Sequence, residues 1–354
     1  MEAATPQRNE PVAAVIGTGV LPGWAPYGVV AGALALAAAI LLATSTFTVA
    51  LALVFTAIFS CIGIYAWSRL VEGRRRAFDR LMTFLIVSAF GLALIPLLSL
   101  IFEVLKRGLP GLSIEFLTTS ARGYIGGGGV AHALVGTLVI TGVAAAISVP
   151  IGIMAAIYLT EYGTGRLRRY LTFFVDVMTG IPSIVAGLFA YALFEIFFGP
   201  GIRMGVMGSV ALSVLMIPIV IRTSEEVLKI VPNHLREAAY ALGTPKWRTI
   251  VKVVLPTAFA GLITGVMIAT ARIIGETAPL LVTTGVIDSI NANPFSGRMQ
   301  NLAVYAYSEY RTPGVMKQAS YDRAWAAALL LIAIVMILNL VARLIYSRYR
   351  TEIR

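Results

Sequence analysis

Eight apolar runs of 17–28 residues divide this chain and limit what it can fold into. They are Tyr27–Ala43, Phe47–Trp67, Leu81–Phe102, Ala133–Leu159, Leu171–Phe198, Gly205–Ile221, Thr257–Ile274 and Ala324–Tyr346. Each is long enough to cross about 30 Å of hydrocarbon as a helix. The bilayer core offers no partner to a free amide or carbonyl, so a spanning segment must pair its own backbone. Continuous runs without alternation exclude a β-barrel. Only 13% of the 354 residues are charged, about half the share in ordinary soluble domains. A soluble globule, a disordered chain and a fibre are excluded together. The expectation is an all-α polytopic membrane protein whose exterior is solvated by lipid. Only Thr44, Ser45 and Thr46 separate the first two runs, which predicts a tight helical hairpin.

The net charge of +11 would suggest a nucleic-acid partner in a soluble protein. Here the charges report topology. With the N-terminus inside, 19 of the 28 basic residues fall in cytoplasmic segments and 8 in outer ones. The dense clusters are Arg74–Arg76, Arg166–Arg169 and Arg236–Lys252. The excess of inner basic residues predicts that both termini are cytoplasmic. No nucleic-acid role is expected. The N-terminus has no clear basic region before its first apolar run, so that run is expected to be retained as a span.

Residues 1–80 are read as a cytoplasmic segment, the hairpin and a basic linker over Glu72–Arg80. Residues 81–354 are read as a six-span unit with an informative cytoplasmic loop over 222–256. Cys61 is the only cysteine, and His132 and His234 are far apart. No disulfide framework, metal cluster or cofactor is therefore expected. There is no Ser/His/Asp constellation and no Walker motif. Gly126–Gly129 lacks the Lys-Ser/Thr that a phosphate-cradling loop needs. The chain is not expected to be an enzyme, and any ATP hydrolysis belongs to another chain. Tyr305, Tyr307 and Tyr310 are expected to be interfacial anchors.

In the cytoplasmic loop, Asn233 is a candidate N-cap for a helix from His234 through Leu242. Gly243 can end that helix, and Pro245 can begin the next. Ala238, Ala239 and Gly243 are small, leaving a shallow surface that another protein can approach.

Arg272 is the one basic residue that the topology does not explain. It lies roughly 20–25 Å along a helix starting near Thr257, within the outer half of the bilayer. A charge there costs at least about 2.5 kcal/mol at the centre and must face a cavity or a partner. Glu276, four residues on, is the expected partner. Gly275 and Pro279 weaken the helix at this depth, and broken helices are tolerated where they line a pathway. The guanidinium fork suits a tetrahedral oxyanion. A structural ion pair joining two helices is the competing reading. Arg222, at the cytoplasmic end of its span, is either a topological anchor or a second anion contact. Asp176 is expected to pair near the interface, with Arg168 and Arg169 closest in sequence.

Glu237, Ala238, Ala239, Gly243, Val253, Leu255 and Pro256 resemble the cytoplasmic loop of ABC importer permeases. Val253 departs mildly from the family's usual Ile. Arg272-x-x-Gly-Glu276-Thr277-Ala-Pro279-Leu-Leu281 is similar to the A-type permease family of phosphate ABC importers, the PstA family. Thr179–Gly187 and Tyr124–Thr137 agree with it. The resemblance covers about residues 81–346 and implies a six-helix type I permease core, to which the N-terminal hairpin is an addition. It implies that Glu237, Ala238, Ala239 and Gly243 form the coupling helix that docks on an ATP-binding subunit, a helix-in-groove contact. It also implies a substrate pathway past Arg272, Glu276, Thr277 and Arg222. The implied partners are an ATP-binding subunit dimer, a second homologous permease, an extracytoplasmic phosphate-binding protein and membrane lipid. The implied place is the prokaryotic inner membrane. Three alternatives stay open: an ABC importer for another oxyanion or a phosphonate, an ion-coupled secondary transporter, and a regulatory module acting through the hairpin.

Overall fold

A computed structural model describes residues 19–121 and 128–349. Arg8, Arg122, Tyr124–Gly127, Arg350 and Arg354 lie outside them. The described residues are helical without strands and form two compact units, divided between Phe102 and Glu103.

The first unit contains α1 (Ala25–Ala43), α2 (Val49–Val71) and most of α3 (Arg74–Gly108). The expected hairpin is present. Thr44 and Thr46 hydroxyls bond across its turn at 2.7 Å, and Thr48 caps α2 by accepting from Leu51 N. Ala33 and Ala37 of α1 and Ala52, Thr56 and Ser60 of α2 are buried, a small-residue seam suited to close helix approach. The basic linker is mostly helical: α3 begins at Arg74. Glu72 sits between the two spans and is buried. It accepts from Arg80 Nε (2.6 Å) and Nη2 (2.8 Å), Ser68 Oγ (2.6 Å) and Leu21 N (2.9 Å). The Arg80 guanidinium, helped by these donors and opposed by burial, holds its carboxyl down to about 2.

The second unit contains the end of α3, α4 (Ile114–Thr118), α5 (Ala131–Ile157), α6 (Gly165–Thr179) and α7 (Ser183–Phe198). Then come α8 (Gly205–Ile230), α9 (Asn233–Ala241), α10 (Lys246–Thr249), α11 (Leu255–Ile274), α12 (Ala278–Thr283), α13 (Leu302–Arg311) and α14 (Lys317–Tyr349). α5 runs on as a π-turn over Tyr158–Tyr162, and another π-turn over Ile250–Val254 leads into α11. Seven of the eight expected spans are single helices.

The exception is Leu171–Phe198, expected as one continuous span. It is two helices, α6 and α7, meeting at 107°. Gly180 ends α6, and Pro182 both lacks a donor and disfavours a helical Ile181. Hydropathy continues across this corner although the helix axis does not.

α8 is the most deeply packed span. Leu212, Met216 and Val220 meet Ile140 and Ala144 of α5 and Ala269 and Ile273 of α11. Ser209 Oγ donates to the Ile140 carbonyl across α5 and α8 at 3.0 Å. A second cluster joins Val130 and Ala133 at the start of α5 to Leu302 and Tyr305 of α13 and Ala326 and Ala327 of α14. Tyr305 is therefore a core residue, not an interfacial anchor, while Tyr307 and Tyr310 are exposed. The difference follows from the helical phase of α13, which sequence spacing in a loop did not reveal.

Candidate functional site: a cavity between helices and an exposed loop

Two chain breaks and the continuous helix α8 converge on one cavity of about 210 Å³. The α6–α7 corner contributes Thr179, Ile181 and Ser183; α8 contributes Leu215, Pro218 and Ile219; the end of α11 contributes Arg272 and Ile273, with Glu276 beyond it. One water needs only about 10–15 Å³ of such space, so a hydrated ion fits. Gly187 lets α7 close on α12: a Cβ there would lie 2.6 Å from Pro279 Cα.

Arg272 is exposed, and among the described residues neither Arg272 nor Glu276 makes an ion pair. The expected pair is not formed. α11 ends at Ile274, Gly275 caps it, and Pro279 opens α12 instead of kinking one long helix. A four-residue spacing puts two side chains on one face only while the helix continues. Thr277 is the residue before α12 and is half-buried. Ser183 opens the 16-residue helix α7 beside the arginine. Helix N-termini carry free amides and partial positive charge. The cavity thus joins a guanidinium, a helix start, the hydroxyl residues Thr179 and Ser183 and the carboxylate of Glu276; Thr277 lies outside its lining.

Arg222 lies three residues beyond the cavity-lining Ile219, about 4.5 Å of helix rise. It is held by two carboxylates. Nη2 donates to Asp176 Oδ1, and Nη1 donates to Glu225 Oε2 at 2.9 Å. Lys229 donates to the other Glu225 oxygen at 2.8 Å. Asp176 thus pairs across to α8, not with Arg168 or Arg169.

In the loop between α8 and α11, α9 begins one residue earlier than expected. Pro232 occupies the N-cap, and Asn233 Oδ1 instead accepts from Arg236 Nη1 at 3.2 Å. Gly243 takes the left-handed φ of +73° that turns the chain toward α10. Glu237, Ala238 and Gly243 are exposed, whereas Ala239 faces inward. The face also carries Leu242, 85% exposed, and Trp247, 57% exposed. Both lie on the same exposed stretch as the basic Lys246 and Arg248.

Residues 148–353 match the family described as the binding-protein-dependent transport system inner membrane component. The phosphate transport system permease protein PstA 1 of Mycobacterium tuberculosis (strain CDC 1551 / Oshkosh) is 45% identical over 276 residues, covering 77% of this chain and 90% of that protein. The PstA protein of Mycobacterium leprae (strain TN) is also 45% identical over 276 residues, covering 77% and 90%. That of Yersinia pestis is 38% identical over 280 residues, covering 77% and 92%. The chain belongs to the PstA family of phosphate transport system permeases.

The fold agrees with that membership. A bacterial alginate ABC transporter solved with an alginate pentasaccharide-bound periplasmic protein superposes with a TM-score of 0.54 at 14% identity, covering 75% of this chain and 93% of that one. A second structure, of a bacterial alginate-importing ABC transporter, gives 0.50 at 14% identity, covering 77% and 99%. The permease is thus a multi-pass membrane protein with an ABC importer fold, a transport subunit and not an enzyme. Of the residues that sequence reading named, Arg272 and Glu276 line the cavity, whereas Arg222, Thr277 and the loop around Glu237 do not. Sequence reading did not single out Ser183, Pro218 or Ile219 as cavity residues, nor Leu242 and Trp247 as the bare apolar pair. The Gly180-Ile181-Pro182 break and the placement of two large apolar residues among basic charges were the available signals.

Proposed function

We propose that the permease is the membrane subunit of an ATP-driven phosphate importer, with its translocation pathway passing the cavity at Arg272. The observation that carries this is an arginine without an ion pair, at a helix break, in a small polar-edged cavity between α7, α8 and α11. Arg272 would hold the oxyanion through its fork, Thr277 and Ser183 would flank it, and Glu276 would limit how tightly it stays. Arg222 would be the next cationic contact toward the cytoplasm. The exposed turn at Glu237, Ala238 and Gly243, with Ala239 packing beneath, would dock on one member of an ATP-binding subunit dimer. A second homologous permease would complete the membrane part, and an extracytoplasmic phosphate-binding protein would deliver the cargo. Both termini would be cytoplasmic in the inner membrane, with residues 1–80 as an addition to the permease domain. Nucleotide-driven closure of the ATPases would switch the spans between outward-open and inward-open states.

The test is uptake of radiolabelled phosphate by proteoliposomes holding the complete complex. ATP-dependent uptake that survives a protonophore is expected. Uptake driven by an ion gradient without ATP would overturn the reading, as would stronger competition by sulfate or a phosphonate than by unlabelled phosphate.

A further inference from the structure

At the C-terminal end of α8 one largely buried guanidinium ties three elements together. Arg236 of α9 is 14% exposed, and its partner Glu161, in the π-turn that extends α5, is 6% exposed. Arg236 Nη2 and Nε donate to Glu161 Oε1 at 2.8 and 3.1 Å. Nη2 also donates to the Leu228 carbonyl at 3.0 Å, and Nη1 donates to the Val231 carbonyl at 2.6 Å. The latter two carbonyls lie at the C-terminal end of α8, where a helix has no internal donors left to offer. Lys246, at the start of α10, donates to the Glu161 carbonyl and lies 4.9 Å from the Tyr162 ring centroid. Both sides of the exposed coupling turn are therefore fastened to the same short segment of α5.

That arrangement exceeds what packing needs. The apolar cluster of Ala156, Leu228, Val231, Val254 and Ala258 already joins these elements. A buried ion pair is weak evidence for stability, because desolvation offsets much of the attraction. Its distinctive property is direction: a forked, multiply bonded contact fixes relative orientation where apolar contact permits sliding. A push on α9 also has a covalent route, through α10 and the π-turn at Ile250–Val254 into α11. A π-turn is a local irregularity in a helix and a place where the axis can yield.

Resting on the function proposed above, we propose that Arg236 and Glu161 are positioning residues that transmit displacement of the coupling turn to α5. From α5 the motion reaches α8 through Ile140, Ala144, Leu212 and Met216, and so reaches the cavity wall at Leu215, Pro218 and Ile219. Neither residue touches cargo or nucleotide in this scheme.

The test measures phosphate moved per ATP hydrolysed by the reconstituted full complex carrying Glu161→Gln, Arg236→Gln or both. Each single variant is expected to lower the ratio about tenfold while hydrolysis falls less than twofold, and the double variant to be no worse than either. A product near a hundredfold in the double variant would show that the two do not act as a unit and would overturn the proposal. So would hydrolysis and uptake falling in parallel, which is the result of a merely structural role. Arg236→Lys guards against misfolding: it keeps the charge but not the fork, and an unchanged ratio in it also overturns the proposal. A second readout is independent of the cargo. Spin labels at Tyr240 on α9 and Met154 on α5 should keep one distance through nucleotide binding in the parent and spread in Glu161→Gln. A parent complex that moves no phosphate refutes the proposed function, while unbroadened distances in Glu161→Gln refute the joint.

Discussion

Replacing Arg272 by Gln separates a pathway role from a structural one, because the structure gives this arginine no internal work. It makes no ion pair among the described residues, and it is exposed and lines the cavity. The cost to folding should therefore stay within about 0.5 kcal/mol, the range of surface changes away from special features. The cost to transport should be far larger. Two charge-assisted hydrogen bonds to an oxyanion are worth about 1.5–3 kcal/mol each, so their loss is at least about 3 kcal/mol, or roughly a hundredfold in kcat/KM for uptake. Arg272→Lys keeps the charge and one bond and should lose about tenfold to a hundredfold. The assay is initial phosphate uptake by reconstituted complexes, with melting temperature and subunit co-purification measured on the same preparations. Parent-like uptake by Arg272→Gln would refute the pathway assignment. A collapse of assembly with uptake would refute the claim that Arg272 has no structural task.

Arg222→Gln should behave in the opposite way, since it leaves Asp176 and the buried Glu225 short of a partner; allowing for the exposure of Asp176 and the remaining Lys229, thermal unfolding in detergent should show a loss of about 1–2 kcal/mol. Gly187→Ala would drive a methyl to 2.6 Å from Pro279 Cα, and the α7–α12 contact should lose about 1–3 kcal/mol in the same measurement. Leu242→Ala removes an exposed side chain whose burial is worth about 1.5–3 kcal/mol, so ATP-binding subunit affinity should fall roughly tenfold to a hundredfold in a titration with folding unchanged. The Glu72 carboxyl is held below its ordinary 4.5, down to about 2; its stabilisation is therefore complete above pH 4.5 and is lost as pH falls toward 2, a loss of roughly 1–2 kcal/mol after discounting for the exposed side of Arg80. Glu72→Gln should remove that part of the pH dependence of thermal unfolding.

The spans were legible because lipid imposes a length and an apolar character on each one, and both are local properties of sequence. The Gly180–Pro182 corner was written in the sequence too, yet a hydropathy window reads amount and not direction, so α6 and α7 merged. Arg272 stood out because a charge at that depth is costly wherever it points. Its pairing with Glu276 did not follow, since the four-residue rule assumes a helix that in fact ends at Ile274. The contacts that sequence could not supply are long-range: Arg222 with Asp176, 46 residues away, and Arg236 with Glu161, 75 residues away. Nothing local marks Glu161, whose role depends on where α5 ends beneath α9.

The two arginines along the proposed route differ in a way that gives it a direction. Arg272 holds no carboxylate, so an arriving anion need displace only water. Arg222 is already held by Asp176 and Glu225, and an anion there must compete with two carboxylates for one guanidinium. Each displaced charge-assisted bond costs about what a new one returns, so net affinity at Arg222 should be close to zero while affinity at Arg272 is not. A site that binds poorly at the exit favours release, provided the barrier between the sites opens only toward the cytoplasm. On this reasoning Asp176→Asn frees one arm of Arg222 and should trap the anion: uptake should slow at saturating phosphate, while phosphate retained by the complex after washing rises. Faster uptake in Asp176→Asn would mean that the carboxylate obstructs the route instead of clearing it.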